Sequence, residues 1–269
     1  MNILLLGDIL GPSGREAVCE NLPRIIKKKK IDFAIVNGEN AGDLGVGITR
    51  KIFDDFLRAG ADVVTTGNHV WDEKEALKFI IEENRLLRPQ NLTKGAPGNG
   101  CGIFNSNNKK KVAVINLMGN IFMKKSEDVF EEAKKFIQLV QLKKNADFIV
   151  VDMHAEITSE KMAMGHLFDG KATMVVGTHT HVPTSDYRIL KKGTAYQTDV
   201  GMCGDYDSVI GMNKDNSLKK FLKEPSAQRH FPALGEATIS GLMVTADNTT
   251  GLATKVEPII FGGSLERKI

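Results

Sequence analysis

Residues 175–182, VVGTHTHV, end a β-branched run in two histidines one position apart, His179 and His181. Side chains alternate faces along a strand, so positions i and i+2 point the same way, and two imidazoles leaving one strand end together suit metal ligation. Taken alone, such a pair reads more readily as one loop hydrogen bond and one solvated ring. Four further apolar runs end in similar fashion. NILLLG runs into Asp8, FAIVNG into Glu39-Asn40, DVVTTG into Asn68-His69, and DFIVVDM into His154. The donors are carboxylate and amide oxygens and imidazole nitrogens, with no thiolate. That set suits Mn2+, iron or Zn2+ and disfavours soft-metal and iron–sulfur sites. Asp8, Glu39, Asn40, Asn68, His154, His179 and His181 are too many for one ion with an open position, and fit two ions sharing one carboxylate. Two carboxylates do not neutralise two divalent cations, so such a site attracts an anion such as phosphate. Paired ions clamp the attacking and leaving oxygens of a displacement at phosphorus.

The elements must bring these endings together. Strand-like and helix-like segments alternate through the first two-thirds of the chain, and the inner strands are nearly continuous apolar runs that need cover on both faces. In α/β sheets, ligands bind beyond the carboxyl ends of the strands, where all the candidate donors lie. Ser13-Gly14-Arg15-Glu16 has the spacing of a capping box and opens a first helix. Lys27 to Lys30 fall where that helix ends, and cations there favour the helix dipole. Further helices are expected from about Thr49 to Ala59, from near Asp72 with Asp72 and Glu75 as its cap, over 126–142, over 159–168 and over 216–222. YRIL-KKG-TAYQT and TISGLMVTAD-NTTG-LATKVEPIIF read as hairpins, with turn residues between period-two segments. Without repeats, low-complexity tracts or linker composition, residues 1–269 read as a single α/β domain.

The ordered set GD (7–8), GEN (38–40), GNH (67–69), His154 and GTHTH (177–181) resembles the calcineurin-like metallophosphoesterases. Within them it is most similar to the bacterial 2′,3′-cyclic-nucleotide 2′-phosphodiesterase subfamily, and the likeness runs on through TDVGMCGDYDSVIGM (198–212) to cover essentially the whole chain. Two positions depart from the superfamily pattern. Asp8-Ile9-Leu10 lacks the histidine of the usual Asp-x-His, and Glu39 stands where the bridging Asp is usual. Both departures match the subfamily, in which an Asn at the position of Asn40 fills the vacancy. The resemblance implies a layered α/β/β/α sandwich with mixed sheets. It implies a first metal on Asp8, Glu39, Asn40 and His181, and a second on Glu39, Asn68, His154 and His179, with Glu39 bridging. It further implies attack by a metal-bridging hydroxide with His69 as general acid, iron or manganese as the metals with zinc as a further candidate, and a tendency to form homo-oligomers. The implied substrate is a small phosphodiester, a 2′,3′-cyclic or also a 3′,5′-cyclic nucleotide. A phosphomonoesterase or protein phosphatase using the same metals is the nearest alternative, and a non-catalytic metal-bound nucleotide sensor the more distant one.

Composition narrows the partners. The 269 residues are 42% hydrophobic and 26% charged, ordinary for a globular protein. A net charge of +3, from 36 basic and 33 acidic residues, gives no basic face, so no stable nucleic-acid complex is expected. No stretch approaches a membrane span. MNILLLGDIL reads as a buried strand rather than a leader, and three cysteines without pairing rhythm fit a reducing compartment, so the cytoplasm is expected. His166 and His230 are read as packing or loop residues, and Cys203 as a small buried one. The glycines of AGDLGVG (41–47) are read as tight turns beside the metals, since the loop lacks the Lys-Ser/Thr of a P-loop. Asp205, Tyr206 and Asp207 read equally as pocket-mouth or plain turn residues.

Overall fold

The computed structural model describes residues 1–265; residues 266–269 of the expected domain lie outside the described part. The first half alternates strand and helix: β1 (Asn2–Ile9), α1 (Gly11–Lys29), β2 (Phe33–Asn37), α2 (Arg50–Arg58), β3 (Val63–Thr65), α3 (Ala76–Phe79) and β4 (Leu86–Leu87). The second half begins with the hairpin β5 (Cys101–Asn105) and β6 (Lys111–Met118). It continues through α4 (Val129–Leu139), β7 (Phe148–His154), α5 (Thr158–Phe168) and β8 (Met174–Thr178). The last part holds β9 (Arg188–Ile189), β10 (Ala195–Gln197), β11 (Met202–Asp205), α6 (Lys214–Phe221), β12 (Ala237–Ala246) and β13 (Ala253–Phe261).

These strands form two mixed sheets. The first has seven strands in the order β13-β12-β11-β1-β2-β3-β4, and the second has six in the order β5-β6-β7-β8-β10-β9. Their centres are parallel: β1 to β2, β2 to β3, β6 to β7 and β7 to β8. Each of these links crosses over through a helix or a long connection, which places the strands' carboxyl ends on one edge.

Period-two alternation decides the layers. Ile3 and Leu5 of β1 face Phe33, Ile35, Val112, Val114, Phe148 and Val150 in the core between the sheets. Leu4 and Leu6 face outward onto Val18 and Leu22 of α1 and Phe53 and Phe56 of α2. On the other side, Ile115, Ile149 and Val151 meet Val129, Ala133 and Phe136 of α4 and Met164 and Phe168 of α5. Every inner strand is therefore buried on both faces, as its unbroken apolar run requires. The result is the α/β/β/α sandwich that the resemblance implies. Each fully buried Leu or Phe side chain contributes about 1.5–3 kcal/mol through burial.

Two helix starts differ from the sequence reading. α1 begins at Gly11 with Leu10 at its N-cap and no capping side chain. Ser13 Oγ instead donates to the Ala233 carbonyl, 3.3 Å away, so a distant loop takes the hydroxyl that local spacing assigned to a cap. The helix expected from Asp72 forms only at Ala76–Phe79, because Asp72 is engaged by His69. The run Lys27 to Lys29 does occupy the last turn of α1. Among the described residues no helix is long and apolar enough to cross a membrane.

Candidate metal centre and active site

The eight sequence-nominated residues all lie at the carboxyl ends of β1, β2, β3, β7 and β8. They reach the centre from both sheets rather than from neighbouring strands of one. Asp8, Glu39, Asn40, Asn68 and His69 belong to the first sheet, and His154, His179 and His181 to the second. Close contacts join the two groups. His154 Nε2 lies 2.9 Å from Glu39 Oε1 and 3.1 Å from Asn68 Oδ1. His179 Nδ1 lies 3.2 Å from the same nitrogen. Ligand atoms of Glu39, His154 and His179 all fall within 4.8 Å of one another, as a bound cation needs.

The histidines are oriented by their outer nitrogens. Thr178 Oγ1 donates to Asp152 Oδ1 at 2.7 Å, so it accepts from His154 Nδ1 at 2.9 Å and leaves Nε2 to face the cluster. His181 Nδ1 donates to the Ile210 carbonyl at 2.8 Å, and His179 Nε2 sits 3.1 Å from Glu156 Oε2. Each ring thus has one nitrogen held by an outer partner, which leaves the other nitrogen for the cluster, the arrangement usual around metal-binding imidazoles. The strand-alternation rule does not produce this at β8. That strand ends at Thr178, and His179 (φ 98°) and His181 (φ 66°) both lie in the left-handed region. It is a kinked loop that turns both rings toward the cluster.

The oxygens fit a cation too. Asp8 is fully buried; its Oδ2 accepts the His179 main-chain N–H at 2.9 Å, while Oδ1 has no hydrogen-bond partner. Asn40 is likewise buried, its Nδ2 donating to the Gly45 carbonyl at 2.9 Å and its Oδ1 unpartnered. Buried orphan acceptors are costly unless something positive meets them. A single imidazole nitrogen cannot satisfy Glu39, Asn68 and His179 at once, but a cation among them can. Gly67 makes room for this cluster, since a Cβ there would collide with the Glu39 carboxylate and the His154 ring.

A family model described as YmdB-like protein matches residues 4–259. The chain belongs to the YmdB-like family. It is 45% identical over 261 residues to a Bacillus subtilis (strain 168) protein named 2′,3′-cyclic-nucleotide 2′-phosphodiesterase, with 97% of each chain covered. Among solved structures, a hypothetical protein from Thermus thermophilus superposes with a TM-score of 0.89 at 37% identity, covering 98% of this chain and all of that one. A structure described as a novel phosphatase from Mycoplasma pneumoniae superposes with a TM-score of 0.88 at 36% identity, covering 97% of this chain and 93% of that one.

In this YmdB-like chain the cluster's charges are strongly interdependent. Burial works to lower the basicity of His154, but the Glu39 and Asp8 carboxylates outweigh it and raise its pKa to about 9. Burial opposes ionisation of Glu39, yet the His154 contact brings it down to about 2. Asp8 is pushed by burial up to about 6 against the pull of His154 and His181. Burial, then the His154 charge, takes His179 down to about 3, which keeps its ring neutral and its lone pair available.

Several partners escaped the sequence reading. Asp152, buried behind His154, accepts from Thr178, from Asn37 Nδ2 at 3.1 Å and from Thr65 Oγ1 at 2.5 Å. Asp72, read as a helix cap, holds His69 Nδ1 at 2.7 Å. Lys124 reaches in from the loop between β6 and α4 to the Asn68 carbonyl at 2.6 Å and to Asp72 at 3.6 Å. Spacing was a signal only for Asp72, which follows His69 by three residues; Glu156 precedes its partner His179 by 23 and gave none. A cleft of about 530 Å3 opens over the cluster, lined by Glu39, Asn40, His69, His179 and His181 on one side. His230, read as a loop residue without a role, also lines it. Asp205 and Asp207 form a turn, with Asp205 accepting from the Asp207 and Gly235 main chains. Tyr206 is an internal strut from the Met202 N–H to the His181 carbonyl. Cys203 is buried, and burial pushes its thiol up to about 12, which leaves it inert.

Proposed function

We propose that this chain is a metal-dependent phosphodiesterase that opens nucleoside 2′,3′-cyclic phosphates, with two divalent ions at the cluster. The observation that carries the reading is the meeting of Glu39, Asn68, His154 and His179 around one point, beside the orphan buried oxygens of Asp8 and Asn40. Its substrate follows the name of the Bacillus subtilis relative. Asp8, Glu39, Asn40 and His181 would hold one ion, and Glu39, Asn68, His154 and His179 the other, with Glu39 shared. Iron and manganese suit these donors best, and zinc also fits. Such ions, when bound, supply a water-derived nucleophile at neutral pH and positive charge for the phosphate oxygens. The two sheets act as one domain, because the cluster needs donors from both.

The protein's own residues do the rest. Asp8 and Glu39 fix the loops that bear the other donors by accepting the main-chain N–H groups of His179 and His69. Asp72 holds His69 by Nδ1, which leaves Nε2 facing the cleft as a proton donor. As the water-derived oxygen bonds to phosphorus, the bond from phosphorus to O2′ breaks. His69 Nε2 delivers its proton to O2′, and a nucleoside 3′-phosphate is released.

The test is to strip the protein with chelator, reload it with Mn2+, Fe2+ or Zn2+, and assay 2′,3′-cyclic nucleotides, 3′,5′-cyclic nucleotides and phosphomonoesters in parallel. Metal-restored release of a 3′-phosphate, fastest on the 2′,3′-cyclic ester, is expected. The described phosphatase from Mycoplasma pneumoniae supports monoester hydrolysis as a second reading, which faster turnover of monoesters would favour. Full activity after metal removal would overturn both.

A further inference from the structure

The cleft's second wall is apolar and belongs to segments outside the metal cluster. Val46, Ile210, Met212 and Phe221 line it, together with Ser217 and His230. Two features mark it as built for a ligand. Phe221 is 76% exposed, a large aromatic side chain left open to solvent at the mouth of a cleft. Ser217 borders the same cleft and is buried to 1% exposure, yet its hydroxyl has no hydrogen-bond partner within the protein. The two are four residues apart on α6, so they share one helix face.

This wall is tied directly to the candidate metal ligands. His181 Nδ1 donates to the carbonyl of Ile210, and Asn40 Nδ2 donates to the carbonyl of Gly45, next to Val46. A phosphate held at the cluster therefore places whatever the ribose carries against the wall. The cavity of about 530 Å3 is of the size that takes a small ligand. A nucleobase has the matching chemistry. Its flat face stacks on an aromatic ring, and its polar edge pairs with a hydroxyl that both donates and accepts.

We infer that Phe221 and Ser217 on α6, with Ile210 and Met212, form a nucleobase subsite that makes this site select nucleotides over other cyclic phosphodiesters. The inference rests on the phosphodiesterase reading above and names the part of the substrate that reading leaves open. Phe221 and Ser217 are specificity-determining residues here, remote from the reacting bonds.

The experiment compares 2′,3′-cyclic AMP with methyl ribofuranoside 2,3-cyclic phosphate, the same ester without a base, on metal-loaded protein. The wild type is expected to favour the nucleotide in kcat/KM by about tenfold or more, the size of one base–aromatic stack. Phe221→Ala should collapse that ratio, Phe221→Trp should keep it, and Ser217→Ala should reduce it by about threefold to tenfold. Equal rates on both esters in the wild type, or equal losses on both in Phe221→Ala, would overturn the subsite. Calorimetric binding of adenosine 3′-phosphate gives a readout without turnover. Binding that weakens in Phe221→Ala supports the subsite even if neither ester is hydrolysed, an outcome that removes the phosphodiesterase reading alone. Absent or unchanged binding in that case removes both. Circular dichroism of each variant separates lost recognition from lost folding.

Discussion

Lys161 Nζ lies 2.7 Å from Asp199 Oδ2, and both residues are fully buried directly behind the loop that carries His179 and His181. The same Asp199 oxygen accepts the Thr180 N–H at 3.1 Å and its hydroxyl at 2.7 Å, while Oδ1 accepts the Gly201 N–H at 2.8 Å. Thr180 is the residue between the two histidines. Each of them is held in the left-handed region, which costs a non-glycine residue about 1–2 kcal/mol. The ion pair thus anchors a strained loop from behind. Lys161→Met leaves a buried carboxylate without its cation and is expected to lower stability by about 3–5 kcal/mol, read from urea unfolding. Metal titration of the folded variant should show weakened binding as well. Undiminished metal affinity would confine the pair to a packing role.

Thr178 connects His154 to Asp152 through one hydroxyl, accepting from the ring and donating to the carboxylate. Thr178→Val keeps the shape and removes both bonds. Metal affinity is expected to fall about 10–100-fold, the usual effect of losing an orienting partner behind a metal-binding histidine. Competition with a chromogenic chelator measures it. An unchanged affinity would show that packing alone orients the ring.

On the proposed mechanism, His69 and Asp72 separate chemistry from metal binding. His69→Ala is expected to retain its metal and lose about 10^2–10^4-fold in kcat on substrates with a poor leaving group. Substrates whose leaving group needs no proton, such as p-nitrophenyl esters, should suffer much less. Asp72→Asn should lose about tenfold, since the ring keeps its acid but not its orientation. A His69→Ala protein equally slow on both kinds of leaving group would assign the histidine to binding instead.

Asp186 gives a prediction in pH. Burial works against its charge, but hydrogen bonds from the Thr184 and Thr198 hydroxyls and the Thr198 N–H win, so its pKa is held below the ordinary 3.8. A carboxyl with a depressed folded pKa adds stability above its unfolded pKa, and that contribution is lost as pH falls through the folded value. Asp186→Asn should therefore be clearly less stable than the wild type near neutrality. The gap between their urea midpoints should narrow below about pH 4. A gap that stays constant into acid would remove the linkage.

The strand endings were legible in the sequence because one constraint acts locally: a buried parallel strand is an apolar run, and the residue that leaves it decides what sits at the sheet edge. Asp8, Glu39, Asn68 and His154 follow that rule. The split into two sheets came from the resemblance, since an apolar run alone does not say which strand is its neighbour. His179 and His181 reached the centre for another reason than strand alternation, because Asp199, distant in sequence, bends their loop. Ser13 and Asp72 were misread as caps because a side chain's local spacing carries no information about a competing partner brought in by tertiary structure. The apolar wall was illegible for a related reason. Val46, Ile210 and Phe221 come from three loops or helix ends with no shared period, so only the fold makes them adjacent.

The seam between the sheets has one last consequence. Donors from before residue 70 and donors from after residue 150 meet across it, and neither group alone offers enough ligands for a pair of ions. An ion lodged there rivets the early part of the polypeptide to the late part, and its grip adds to cohesion in proportion to the logarithm of its free concentration. On the proposed ligand set, occupancy would thereby be a certificate of assembly: a chain released from the ribosome with its second half unfinished lacks the three histidines that complete the pair.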